Sequence, residues 1–541
     1  MKNLSICQLS SLVKTFPNRI FGKEIRSENC VKGQQISYQV AYRGEKRKLK
    51  LNIESELKEY ITLYNVGFVP MTLPTYNDCT DENYLTKEKG DCPDPLYPMD
   101  EMEIFVENEY KSLWVNIDVP NDIEAGEYSV IIEFLESGKV IEKSHFGLNV
   151  HNLVLPEQAV YFTQWFHTDC IANVHNVSVF SEEHWRLIEL YVKLAVSHGM
   201  NMILTPVLTP PLDTEVGGER TTVQLVDIEK TENAYKFDFA KLERFIEICL
   251  KSGIKFFEIN HMFTQWGAKN APKVIANVDG EEKRIFGWET EATCQEYASF
   301  LNQLVPLVVK AFEKKGVSRS KLFFHVSDEP SFEHLENYKN AHSLIESLIE
   351  GCNQMDALSH YDFYEQGIVE TPVVAIDSIE PFLNAGVKNL WCYYCCAQHS
   401  KVANRFMAMP SYRNRIIGVQ MYIYSIVGFL HWGYNFYNLQ YSKGQIDPYQ
   451  VTDAGGAFPS GDSFSVYPYK DGVIPSLRQK VFKNALDDIR LLTLLEKKIG
   501  KQSVVDLIED VAGMKITFSD YPQNDEFFER LYDGIFKLLN D

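Results

Sequence analysis

Asp328 and Glu329 stand side by side at the end of an apolar run, Phe323-Phe324-His325-Val326-Ser327, and Pro330 follows them. A run of this composition, stopped by proline, reads as a buried strand that delivers two carboxyls at its exit. Carboxyl pairs cleave glycosidic bonds: one acid protonates the leaving oxygen while a second group stabilises the anomeric carbon. In common retaining enzymes the two carboxylates flank the bond about 5–5.5 Å apart, usually from different strands. Consecutive side chains on one strand diverge instead. That suits a division of labour in which one acid protonates the bridge and its neighbour orients a 2-acetamido group, whose oxygen is the nucleophile. Two other readings stay open. The pair can be a solvated approach to the next helix, with Asp328 as its cap, or Glu329 can work with a distant carboxylate, Glu258 or Asp362.

Further polar and aromatic residues gather at the ends of other apolar runs. Gln164, Trp165 and His167 close the first, Asp213 and Arg220 follow the second, and Glu258, His261, Gln265 and Trp266 follow the third. His360, Tyr361 and Asp362 end the fifth, Tyr393 and Tyr394 the seventh, and Trp432 and Asn435 the eighth. Aromatic platforms between hydrogen-bonding groups suit the apolar faces and polar edges of a sugar ring. The expected substrate contacts are therefore Trp165, His167, His261, Trp266, Tyr361, Tyr393, Tyr394, Trp432 and Asn435; each Trp or His can equally be a core residue. His325 is expected in the core, Asp213 and Arg220 as pins of their long loop, and Asp462 in a turn. Cys392, Cys395 and Cys396 lack a second Cys or His pair at finger-like spacing. They read as strand thiols, so neither metal nor cofactor is expected.

The elements that must hold these residues have two textures. Up to about Leu155 the pattern is short and of period two, as in KLKLNIESEL and YSVIIEFLE, which predicts an antiparallel β-sandwich over residues 1–156. From about Val160 strands alternate with helices. YFTQWFH, MNMILTPV, IKFFEINHMF, KLFFHVSD, QMDALSH, TPVVAI, LWCYYC and GFLHWGY are eight strand candidates. Eight β/α alternations predict a (β/α)8 TIM-type barrel over residues 157–541, closed by a C-terminal helical segment, with the active site at the carboxyl ends of its strands. No G-x-G-x-x-G follows a strand, which argues against a doubly wound sheet. The predicted whole is a multidomain α/β protein.

The 541 residues carry a formal charge of −21, which disfavours a nucleic-acid partner or a basic membrane-binding face. No stretch reaches the roughly 20 apolar residues of a membrane span, and the N-terminus makes a poor signal peptide. A cytoplasmic protein with a glycan substrate is expected.

The stretches TQWFHTDC, LTPPLDTEVGGER, INHMFTQWGA, FHVSDEP, LWCYYCC, GFLHWGYNFY and GDSFSVYPYKDGVIPSLR, together with VPNDIEAGEYSV in the sandwich, resemble glycoside hydrolase family 123 and the related DUF4091 proteins. The resemblance implies a retaining, exo-acting β-N-acetylgalactosaminidase working through an oxazolinium-like intermediate. It implies that Asp328 orients and stabilises the acetamido group and that Glu329 is the general acid/base. A glycosidase acting on another sugar and a non-catalytic carbohydrate-binding protein are the alternatives.

Overall fold

The computed structural model describes residues 4–540 except 21, 233 and 266. Two five-stranded sheets form the N-terminal sandwich. One runs Leu4–Ser10, Gln35–Gly44, Lys111–Asp118, Ile61–Met71, Gly90–Pro98 in spatial order and is antiparallel throughout. The other runs Ser27–Lys32, Lys139–Val154, Gly126–Glu136, Arg47–Glu54, Glu103–Val106; its first pair is parallel and the rest antiparallel. The period-two text translates directly into burial. Along Arg47–Glu54 every second residue is buried, and Leu49, Leu51 and Ile53 enter the core between the sheets. Each such side chain contributes roughly 1.5–3 kcal/mol.

All eight expected barrel strands are present: Tyr161–Gln164, Met202–Thr205, Phe256–Ile259, Leu322–Phe324, Asn353–Leu358, Thr371–Ala375, Trp391–Tyr393 and Gly428–His431. They form one parallel sheet in chain order from the second to the eighth, and the eighth pairs with the first. The seam between the first two strands is stitched by Asn201. Its side chain accepts from Phe162 N at 2.8 Å and donates to Val160 O at 3.0 Å, and its own N–H donates to Phe162 O at 3.1 Å. At the floor of the barrel the Tyr161 ring stacks on Trp391 at 5.0 Å. Gly428 is required beside it, because a Cβ there would lie 2.2 Å from the Trp391 ring.

The outer helices follow their capping signals. Ser181 accepts from His184 N to start Glu182–Ser197, and Gly253 ends Ala240–Ser252 in the left-handed region, at φ 108°. After the fifth and sixth strands the helices shrink to Asp362–Glu365 and Glu380–Asn384. Leu477–Ile499 completes the ring, and Lys501–Ala512 and Glu526–Asn540 pack on it. A four-stranded sheet, ordered Tyr235–Asp238, Asp227–Lys230, Val274–Val278, Glu281–Phe286, grows from the loops after the second and third barrel strands. Its strands are only four to six residues long, too short for their alternation to stand out in the sequence.

Sandwich and barrel share one core: Val66, Val69, Leu96 and Trp114 belong to the same apolar cluster as Tyr434 and Leu477. Buried polar ties reinforce it. Arg478 Nε and Nη2 donate to the two oxygens of Asp94 at 2.9 and 2.8 Å, and Tyr467 OH donates to the same carboxylate at 2.5 Å. Lys14 Nζ donates to the carbonyls of Met407 and Met409, both at 2.8 Å.

Candidate active site

The fourth strand ends at Phe324, but the chain continues buried to Ser327, whose Oγ donates to Thr264 O at 2.9 Å. Phe323 and His325, two residues apart, both face the barrel interior, and Val326 packs outward. Asp328 then reaches the mouth half-buried and Glu329 opens to solvent. Glu329 has φ 42°, a left-handed conformation that costs a non-glycine residue about 1–2 kcal/mol. This turn releases the two acids from strand alternation, so both line one pocket of about 190 Å³.

Three aromatic walls of that pocket are each tied by a carboxylate. Tyr393 OH donates to Glu329 Oε1 at 2.6 Å. Trp165 Nε1 donates to Glu258 Oε2 at 3.1 Å, and Trp432 Nε1 to Asp462 Oδ2 at 2.9 Å. Asp213, Gln265 and Gln440 add to the polar lining. Asp213 Oδ2 accepts from Tyr441 N at 3.0 Å, and the Asp213 carbonyl accepts from Ser442 Oγ at 2.7 Å. These bonds join the loops after the second and eighth strands into one wall. Burial raises the Asp213 carboxyl to about 6, against the pull of the Tyr441 N–H and Arg220.

Behind the pocket lies a buried ionic chain. His325 Nε2 meets Glu258 Oε2 at 3.0 Å and its Nδ1 meets Asp356 Oδ1 at 3.2 Å. Thr163 donates to Glu258 and Tyr338 to Asp356, while Val326 N–H reaches both Asp356 oxygens. Burial opposes the imidazolium, yet the two carboxylates outweigh it and push His325 up to about 9. His261 stacks on His325 at 4.5 Å, with ring planes 22° apart. Burial and the His325 charge hold it well below the usual histidine range, hence neutral. His261, His325 and Asp356 offer ligand atoms within 4.8 Å of one another. Both His325 nitrogens are already engaged, and near-parallel imidazoles do not aim their lone pairs at one point, so the set is a poor metal cage.

The expected site residues divide. Trp165, Tyr393 and Trp432 line the pocket with Asp328 and Glu329. His261 lies behind Trp165, 5.2 Å from its ring. His167 and Asn435 lie outside the lining and serve the backbone: His167 N donates to Asn435 Oδ1 at 2.8 Å, and Asn435 Nδ2 to His167 O at 3.0 Å. Burial and neighbouring Arg220 lower His167 to about 3. Tyr394 points opposite to Tyr393, as strand alternation requires, and donates to Asn414 Oδ1 at 3.1 Å. Tyr361 packs on Phe382, away from the pocket. Trp266 lies outside the described residues. Arg220 pins its loop as expected, with two 2.8 Å bonds to Asp169. Cys392 is buried on its strand, whereas Cys395 and Cys396 lie past the strand end in the pocket wall.

Adjacent carboxyls in a recessed pocket resist joint ionisation. Burial, then the Glu329 charge, raises Asp328 well above the usual carboxylate range. Burial raises Glu329 as well, with the Tyr393 hydrogen bond opposing it. A carboxyl pair that resists joint ionisation, walled by aromatic rings, can hold a proton for acid catalysis. A family model for the catalytic domain of glycoside hydrolase 123 matches residues 165–495, from Trp165 into the last barrel helix.

The chain belongs to glycoside hydrolase family 123.

It is a glycoside hydrolase by that membership, and its substrate is a glycan. A family 123 glycoside hydrolase from Clostridium perfringens has the same fold: TM-score 0.74 at 14% identity, over 99% of this chain and 98% of that one. A Bacteroides ovatus GH5 xyloglucanase (8% identity, 85% of this chain and 98% of that one) aligns at a TM-score of only 0.31. An Eisenbergiella tayi GH2 β-galacturonidase (10% identity, 89% and 97%) reaches 0.33. No match is found among curated proteins. Among the described residues no helix is long and apolar enough to cross a membrane.

Asp462, Asp213 and His325 support the walls of the pocket. From sequence, Asp462 reads as a turn residue, Asp213 as a pin of its long loop and His325 as core. One signal was available for His325: it sits two residues beyond Phe323, on the inward phase of its strand.

Proposed function

We propose that this family 123 protein is a retaining, exo-acting β-N-acetylgalactosaminidase that uses the substrate's own acetamido group as nucleophile. The observation that carries this reading is the placement of consecutive Asp328 and Glu329 in one aromatic-walled pocket of about 190 Å³. Asp328 accepts the acetamide N–H and turns the acetamide oxygen onto the anomeric carbon. Glu329 protonates the glycosidic oxygen as that bond breaks, leaving an oxazolinium-like ring, and then takes a proton from the water that opens it. Two inversions give net retention. Trp165 and Trp432 supply platforms for the ring, and Tyr393 holds Glu329 in place. Of the alternative partners for Glu329, Glu258 is saturated by Thr163, Trp165 and His325 inside the barrel, and Asp362 is an exposed helix residue outside the pocket. Eleven unpaired cysteines support a reducing, cytoplasmic location, and the sandwich acts as a brace on the barrel.

The test is hydrolysis of p-nitrophenyl β-glycosides of GalNAc, GlcNAc, galactose and glucose, with Glu329→Gln as control. Cleavage of the GalNAc glycoside, lost in the variant, is expected. Equal cleavage of the galactoside would overturn the acetamido mechanism.

A further inference from the structure

The geometry around the two acids is inverted relative to what the reaction needs. Tyr393 donates to Glu329 Oε1 at 2.6 Å, which favours the ionised form of Glu329. Asp328 is half-buried, and no donor among the described residues reaches its carboxyl, which favours its neutral form. An acid catalyst at Glu329 needs the opposite distribution. We propose that the pair holds one shared proton, resting on Asp328 in the free protein and passing to Glu329 when an acetamide N–H hydrogen-bonds to Asp328. This rests on the acetamido reading above and makes the same N–H that identifies the sugar arm the acid.

The transfer balances without a co-reactant. The O–H bond of Asp328 breaks and leaves its electron pair on that carboxylate, and an O–H bond forms on Glu329. Tyr393 keeps its hydrogen bond to the carbonyl oxygen of the new acid, leaving the acidic hydrogen free to face the glycosidic oxygen. Other charges face the pair. Asp356 and Asp213 disfavour charge on Asp328 and Asp377 disfavours it on Glu329, while the His325 imidazolium favours an ionised Asp328. His325 thus works against a proton resting on Asp328, in the same sense as an incoming N–H. A hydrogen bond to a charged group contributes about 1.5–3 kcal/mol, or roughly 10- to 150-fold in that equilibrium. A plain galactoside lacks the N–H, so the proton stays on Asp328 and the leaving group finds no acid.

Isotope-edited infrared difference spectra test this on the whole chain, carboxyl-13C-labelled at Asp or at Glu, with N-acetylgalactosamine as a probe that cannot turn over. The expected spectrum loses a carboxylic-acid band that carries the Asp label and gains one that carries the Glu label; galactose produces neither change. Tyr393→Phe is expected to shrink the exchange, because Glu329 then starts partly protonated. Bound N-acetylgalactosamine with no exchange, or a free protein whose Asp328 band (identified by its loss in Asp328→Asn) is already ionised, would overturn the proposal. Failure of the GalNAc reading looks different: the probe does not bind, and the free-state Asp328 band alone then decides where the proton rests.

Discussion

The Trp165 indole donates to Glu258 Oε2 at 3.1 Å, and the same oxygen meets His325 Nε2 at 3.0 Å. One wall of the pocket is therefore hung on the ionic chain that runs through the barrel to Asp356. Platform and charge share that oxygen, and the His325 charge is felt at Asp328.

That coupling gives stability a pH signature. His325 is raised in the folded protein, so its contribution is complete below the unfolded histidine value, about 6.5, and is lost as pH rises through about 9. Urea unfolding is expected to show stability falling by on the order of 3 kcal/mol across that window. His325→Gln should flatten the slope; an unchanged slope would mean that the imidazole is neutral.

Asp328 and Asp213 both line the pocket and separate by role. Asp328→Asn is expected to lower kcat on the order of 10³-fold, because an amide cannot stabilise an oxazolinium. Asp213→Asn should cost about tenfold or less, mostly in KM, since its main bonds join two loops. The reverse order would make Asp213 the nucleophile of a two-carboxylate enzyme.

On the proposed mechanism Glu329→Gln removes the acid, so its effect depends on the leaving group. A loss of about 10²–10⁴-fold is expected for an alkyl or sugar aglycone. With a dinitrophenyl aglycone, which departs without protonation, cleavage of the bond should be nearly unaffected. Equal losses for both would deny Glu329 the acid role.

The joint between sandwich and barrel rests on a buried ion pair. Asp94→Asn strands Arg478 and is expected to destabilise the protein by about 3–5 kcal/mol, read as a shift in the denaturation midpoint with kcat of the folded fraction retained. A shift below about 1 kcal/mol would mark the pair as dispensable.

The barrel was legible because each strand is a short apolar run bounded by a turn or a cap, and Asp328–Glu329 stood out because Pro330 stops such a run. What one-dimensional text does not carry is side-chain phase and cross-strand register. Tyr393 and Tyr394 look equivalent in sequence, yet alternation sends one to Glu329 and the other to Asn414. His325 gains meaning only because Glu258 pairs with Phe323 and Asp356 with Val326 across adjacent strands. His167 and Asn435 sit past strand ends as expected, but the Asn435 amide is spent on the His167 backbone and the His167 ring on Trp432 O and Arg220.

The most direct test of acetamido participation is the hydrolysis rate of p-nitrophenyl β-GalNAc beside its N-fluoroacetyl, N-difluoroacetyl and N-trifluoroacetyl analogues. Each fluorine weakens the acetamide oxygen as a nucleophile while leaving the leaving group untouched. A steep, monotonic fall in kcat/KM along the series is the predicted result. A flat series would contradict the account and return the nucleophile to a carboxylate of the protein.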